Sequence, residues 1–148
     1  MSTVSSMHIT HDREQGGCSY YHQDSYYWKI APEPGCNCWI PLTSVGIDAS
    51  ALAIMPKTHQ GWQLFEHEYY HDDPPLGHID NDVFTSFKRH RISQEQVGFA
   101  REMLIETQPG DGLIFSNYTW HRSEPNCSGQ THIFYAIAYQ RQNEGSTA

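Results

Sequence analysis

His22 and Asp24 flank a single residue in the segment Tyr21-His22-Gln23-Asp24-Ser25. In an extended strand alternate side chains point the same way, so an imidazole and a carboxylate at this spacing project from one face and can reach one ion. A third donor must come from far along the chain, and Trp120-His121-Arg122-Ser123 supplies it. Two histidines and one carboxylate on one side of a metal leave three coordination positions open, the arrangement found in non-haem Fe(II) oxygenases. An H-x-D pair also arises by chance in a chain with ten histidines, as an exposed strand pair or as a buried histidine with its hydrogen bonds satisfied. A second pattern, His67-Glu68-Tyr69-Tyr70-His71, satisfies H-E-x-x-H. On a helix its histidines would share a face as zinc ligands, with Glu68 as the general base of a hydrolase. Asp72-Asp73-Pro74-Pro75 follows at once and ends any helix, which favours a His-rich lid over a zinc hydrolase.

Positioning donors from both ends of the chain requires a scaffold of strands. The 148 residues suffice for one domain with a real core. Short β-rich runs bounded by Gly, Pro, Asn and Asp cover 18–28, 37–43, 51–55, 100–106, 112–116, 119–122 and 132–140. Helical periodicity is weak, with short helices admissible only over 60–71 and 93–100. This pattern predicts an all-β barrel or sandwich over 18–142, with a loose arm over 1–17, a lid-like insertion over 60–93 and a disordered tail over 143–148. Nine Lys and Arg against 17 Asp and Glu leave a net charge of −8, which argues against gripping nucleic acid through bulk charge. No apolar run is long enough to span a membrane, and Met1-Ser-Thr-Val-Ser-Ser lacks the features of a secretory signal, so a cytoplasmic location is expected. Cys18, Cys36, Cys38 and Cys127 lack C-x-x-C spacing and are read as reduced, with Cys36 and Cys38 sharing one strand face.

Tyr21-His22-Gln23-Asp24-Ser25-Tyr26-Tyr27 resembles the H-Q-D-x-x-Y segment of the phytanoyl-CoA dioxygenase family. The similarity continues in register through Cys38-Trp39-Ile40-Pro41-Leu42. It then runs through Ala51 to His59, which is similar to the family's G-x-L-x-x-x-P-G-[ST]-H segment. It closes with Pro109-Gly110-Asp111, Phe115 and His121-x-Ser123-x-Pro125-Asn126-x-Ser128, so it spans most of the chain. The resemblance implies a double-stranded β-helix, a jelly-roll or cupin-like barrel with few short helices. It implies Fe(II) on His22, Asp24 and His121, with 2-oxoglutarate and O2 as cosubstrates and hydroxylation of a C–H bond in a small-molecule substrate. Ser123 and Trp39 match positions that contact 2-oxoglutarate.

Three departures from the family pattern carry expectations of their own. The family anchors the far carboxylate of 2-oxoglutarate with an arginine eleven residues after the distal histidine, and His132 stands there. A histidine offers one hydrogen bond where a guanidinium fork offers two, a loss of about 1.5–3 kcal/mol. His132 is then the cosubstrate anchor, unless Arg141 or Arg101 reaches in or the cosubstrate differs. The alternative function is a binding module on the same fold that does not turn 2-oxoglutarate over. Ser50 or Ala51 replaces the glycine before the third strand, and Pro56-Lys57 stands where Pro-Gly is usual. The chain begins at about the H-x-D strand, where relatives carry a longer N-terminal part. A homo-oligomer partner or the 60–93 insertion is expected to cover the face that this part would occupy. The acidic surface makes a neutral or cationic substrate more fitting than a CoA thioester.

Overall fold

A computed structural model describes residues 2–10, 19–28, 34–70 and 90–140. The long run His132–Gln140 forms β9 as expected and lies inside a four-stranded antiparallel sheet. Its neighbours are β1 (Ser2–Thr10) on one side and β2 (Gly35–Pro41) on the other, with β7 (Leu113–Ser116) beyond β2. Trp39 stands opposite Leu113 and Ala136, and Asn37 opposite Phe115 and Ala138. Because the side-chain period is two, Asn37, Trp39, Phe115 and Phe134 share one face, while Cys36, Cys38 and Ile114 share the other. Ile114, at 70% exposure, identifies that second face as the outer one.

A second antiparallel sheet orders β6 (Met103–Ile105), β3 (Leu52–Met55) and β8 (Trp120–Ser123). Backbone bonds extend it past β8. Ser19 N donates to Ser123 O at 3.2 Å, and His22 and His121 exchange bonds at 3.1 and 3.2 Å. Ile92 N then donates to Tyr21 O at 2.8 Å, which brings in β5 (His90–Ile92) and its antiparallel partner β4 (His67–Tyr69). The layer therefore runs β6, β3, β8, residues 19–22, β5, β4. Two such antiparallel layers are the jelly-roll architecture that the family resemblance implies.

The core lies on both faces of the second layer. On one, Trp39 packs against Phe134 with ring centroids 4.8 Å apart, joined by Val45, Ala49 and Ala51. On the other, Ala53, Met55 and Trp120 meet Tyr21, Ile92 and Val97, with Phe65 and Leu104 packed alongside. Burying side chains the size of Met55 and Ile92 stabilises the fold by roughly 2–3 kcal/mol each. The rim of this second cluster is polar. Arg122 donates from Nε and Nη2 to Glu102 at 2.9 and 2.8 Å and from Nη2 to Glu124 at 2.5 Å, and Tyr21 Oη donates to Glu102 at 2.6 Å. The Arg122 guanidinium holds the Glu102 carboxyl below its ordinary range.

Several expectations need correction. Ser2–Thr10, read as part of a loose arm, is a nine-residue strand in register with the whole of β9. The run 18–28 is not one strand: 19–22 is extended, but Asp24–Trp28 closes into a short helix, α1. The described part of the 60–71 run, residues 60–70, does not form a helix. Gln60–Trp62 is a single 3-10 turn and His67–Tyr69 is a strand. This removes the helical face that a zinc hydrolase needs, since His67 is buried while Glu68 is exposed, on the opposite face of β4, with its carboxylate 3.0 Å from Arg91. His71, the centre of the insertion, residues 11–18 and the tail lie outside the described residues. Over 93–100 the helical content is limited to the start of a 3-10 turn, Phe99–Arg101.

The two departures from family glycines fall on left-handed backbone. Ser50 has φ 63° and Lys57 has φ 69°. A side chain there costs roughly 1 kcal/mol relative to glycine, which explains the family's preference and shows that this chain tolerates the cost. Among the described residues no helix is long and apolar enough to cross a membrane, and Cys36, Cys38 and Cys127 are free thiols.

Candidate metal centre

The reciprocal backbone bonds between His22 and His121 set their imidazoles side by side, with ring centroids 4.3 Å apart. His22 Nδ1 lies 2.8 Å from Tyr20 O, and His121 Nδ1 lies 3.0 Å from Thr119 O. A carbonyl oxygen only accepts, so both Nδ1 atoms carry the proton and both Nε2 atoms are left to face inward. They face Asp24: His22 Nε2 is 3.7 Å from Oδ1, and His121 Nε2 is 3.5 Å from Oδ2. All three side chains are buried, and one ligand atom from each lies within 4.8 Å of the others. Asp24 reaches this position from the first turn of α1, not from a strand rung, because Ser25 N and Oγ both bond to Asn117 O, at 3.0 and 3.2 Å, and turn the chain there. Neutral imidazole nitrogens facing a carboxylate are acceptors facing acceptors, which calls for a positive charge between them. Two nitrogens and a carboxylate oxygen suit a divalent first-row metal, so the residues present fit an iron ion.

The residue between the ligands is held as firmly as they are. Gln23 is fully buried, and its Nε2 donates to Gln63 O at 2.9 Å and Tyr118 O at 2.8 Å, while its Oε1 accepts from Phe65 N at 2.8 Å. Its backbone N donates to His67 Nε2 at 3.0 Å, and His67 Nδ1 bonds to Phe65 O at 2.9 Å. Tyr26 stacks on the His67 ring with centroids 4.2 Å apart. The insertion thus supplies a clamp on the ligand-bearing segment, a role its sequence did not suggest.

His67 works as a clamp only when neutral, because a proton on Nε2 would set a donor against the Gln23 N–H. Burial pushes its pKa below the ordinary 6.5. Between the folded and unfolded values the unfolded chain binds more protons, so stability is full above pH ~6.5 and falls as the pH drops below it. Denaturant titrations of metal-free protein are expected to show this loss between about pH 7 and pH 5. His67→Gln, which keeps an acceptor but does not titrate, is expected to show a shallower loss; an identical slope in both proteins would count against the clamp.

The sequence profile of the phytanoyl-CoA dioxygenase family matches residues 2–133, which is most of the chain. The chain belongs to the phytanoyl-CoA dioxygenase family. It is 32% identical over 113 residues to a 1-deoxypentalenic acid 11-beta-hydroxylase from Streptomyces exfoliatus, a match covering 72% of this chain and 34% of that protein. EvdO2 from Micromonospora carbonacea var. aurantiaca superposes with a TM-score of 0.72 at 20% identity, over 94% of this chain and 51% of its own. The same protein complexed with 2-oxoglutarate also gives 0.72. The non-heme alpha ketoglutarate dependent carbocyclase SnoK from nogalamycin biosynthesis gives 0.63 at 16% identity, over 92% and 47%. At such identities the structural likenesses establish the fold alone. The chain spans about a third of the hydroxylase's length and about half of each of these structures.

Compared with the phytanoyl-CoA dioxygenase pattern, the three residues expected at the cosubstrate all lie on inward faces but make separate contacts. Ser123 is two residues beyond His121 on the same face of β8, and its backbone N donates to Ser19 Oγ at 3.1 Å. Trp39 packs against Phe134 with its ring tilted by 33°. His132, at the family's arginine position, is buried with Nδ1 3.3 Å from Thr43 Oγ1 and Nε2 2.7 Å from Ser128 Oγ. Ser128 gives its own proton to Asn126 Oδ1 at 2.8 Å, so His132 Nε2 is the donor to Ser128 Oγ. Asn37 and Phe115 are among the further residues that contact the triad. Phe115 lies 4.8 Å from the His121 ring, centroid to centroid. The motif had singled out Phe115 but not Asn37.

Proposed function

We propose that the chain provides the metal-binding barrel of an Fe(II)- and 2-oxoglutarate-dependent oxygenase that hydroxylates a C–H bond of a small-molecule substrate. His22, Asp24 and His121 are its iron ligands. The convergence of two inward Nε2 atoms on one buried carboxylate carries this reading, and it accords with family membership. An iron held by His22, Asp24 and His121 would supply the oxidising power for oxygen insertion, with O2 as oxidant and 2-oxoglutarate converted to succinate and CO2.

The chain's own residues prepare that chemistry. Tyr20 O and Thr119 O hold the Nδ1 protons, so both imidazoles present a lone pair without rearrangement. Asp24 offsets the charge of a divalent ion at three side chains that are themselves buried. Phe115 and Tyr27 close the sides of the two imidazoles, the Tyr27 ring lying 5.8 Å from His22. Burial raises the Tyr27 phenol above its ordinary value, and its oxygen is tied to His90 O at 2.6 Å, so it stays protonated and off the metal. Ser123, Trp39 and His132 form the cosubstrate wall in this reading. The free thiols accord with a cytoplasmic location.

The commitment of both His132 nitrogens to hydroxyl groups favours one second reading, a metal-binding module without 2-oxoglutarate turnover. Purified protein supplied anaerobically with Fe(II), then with 2-oxoglutarate, O2 and pools of neutral and cationic small molecules, separates the two. The oxygenase reading expects one iron per chain and 2-oxoglutarate-dependent succinate. Stoichiometric iron without succinate would select the binding module, and no iron would dismiss both.

A further inference from the structure

Asp24 sits at the start of a five-residue helix, and its carboxylate must be steered between two imidazoles that belong to another pair of strands. We propose that Asn37 is the residue that positions it. The inference rests on reading His22, Asp24 and His121 as metal ligands, and it adds a role for a side chain that the spacing of those ligands does not reveal.

Asn37 comes from the other sheet, on β2, and turns inward. Its cross-strand partners are Phe115 and Ala138, so packing alone would favour an apolar residue there. It is nonetheless 7% exposed, and a buried amide needs a polar partner. Asn37 Nδ2 donates to Asp24 Oδ2, the oxygen that faces His121 Nε2, and leaves Oδ1 facing His22 Nε2. This hydrogen bond from the opposite wall holds Oδ2 toward His121 and Oδ1 toward His22. The donor's neutrality is part of the fit. A lysine or arginine in this place would neutralise Asp24 and compete with a bound cation, whereas an amide orients the carboxylate and leaves its charge intact.

Calorimetric titration with Co(II) tests this on the wild-type protein, Asn37→Leu and Asn37→Gln. Asn37→Leu keeps the approximate volume without a donor and is expected to bind Co(II) about 10–100-fold more weakly, the usual cost of losing a group that supports a ligand. Its near-ultraviolet circular dichroism and metal-free thermal midpoint should stay close to wild type. Asn37→Gln, which retains the N–H donor, is expected to recover part of the loss. An unchanged Co(II) dissociation constant in folded Asn37→Leu, or an equal loss in both variants, would overturn the proposal. Should Asn37→Leu fail to fold, the Asn37 side-chain amide protons of labelled wild-type protein decide instead. Slow exchange that slows further with Zn(II) supports positioning, and solvent-rate exchange in both states refutes it. Absence of Co(II) binding by the wild type is a separate outcome, and it would remove the metal-site reading itself.

Discussion

Asp24→Ala is expected to abolish divalent-metal binding while leaving a folded protein. Asp24 is the sole carboxylate in the converging donor set among the described residues, and both imidazoles are set to coordinate as neutral groups. Removing it leaves two nitrogens, no charge compensation and an open side, so the loss should exceed the ~10–100-fold that supporting residues cost. A loss of about 1000-fold corresponds to about 4 kcal/mol of binding free energy. Asp24→Asn should lose nearly as much. It keeps the shape and an oxygen for Asn37 to donate to, but it removes the negative charge. His22→Ala and His121→Ala each delete one nitrogen while the backbone bridge between the strands remains, since that bridge uses main-chain atoms only. Metal content of the purified variants, with folding checked by circular dichroism, tests all four. Wild-type stoichiometry in folded Asp24→Ala would refute the triad.

The convergence of His22, Asp24 and His121 could be read from the sequence because the chemistry of a metal site restricts residue type, and a motif in register with a family restricts position. The route by which Asp24 reaches the site could not. Asp-Ser-Tyr-Tyr-Trp is rich in aromatics that favour strands. The helix is imposed by Asn117, 92 residues from Ser25, whose carbonyl captures the Ser25 N–H and hydroxyl. Local propensity loses to that contact. The strand at Ser2–Thr10 was hidden for the converse reason: its polar residues show no alternation, and it exists because β9 offers nine residues of paired register.

The supporting residues were illegible on similar grounds. His67 read as half of a helical zinc motif because H-E-x-x-H is defined by spacing, and spacing means nothing once β4 turns His67 and Glu68 to opposite sides. Its true partner, the Gln23 N–H, lies 44 residues away. Asn37 carries no motif at all, since its function is defined by what stands across the barrel. By contrast, the family's glycine positions could be read directly. The structure assigns their departures, Ser50 and Lys57, to two left-handed residues, so the replacements fall where the backbone demands positive φ.

Gln23→Leu is expected to be the most damaging substitution that leaves every ligand in place. The Gln23 amide uses both of its N–H groups and one oxygen lone pair on main-chain groups of two separate segments, at Gln63 and Phe65 and at Tyr118. Leucine fills most of the volume but satisfies none of them. Leaving a buried polar group unpaired costs about 1–3 kcal/mol, and Tyr118 is fully buried while Phe65 is partly so. With the solvent-accessible Gln63 contributing least, the expected loss is about 3–5 kcal/mol of folding stability, a large share of what a domain of this size possesses. Gln23→Glu separates hydrogen bonding from packing. A carboxylate in that place would face the Gln63 and Tyr118 carbonyls with no donor, so the folded state must hold it protonated and its pKa must rise. The folded chain then binds the extra proton, and Gln23→Glu should gain stability as the pH falls from 8 towards 5, the reverse of the wild-type trend set by His67. Denaturant titration of both variants at the two pH values checks this. A loss below about 1 kcal/mol in Gln23→Leu, or a Gln23→Glu profile that follows the wild type, would show that the ligand segment is held by its backbone bridge to β8 and not by the buried amide.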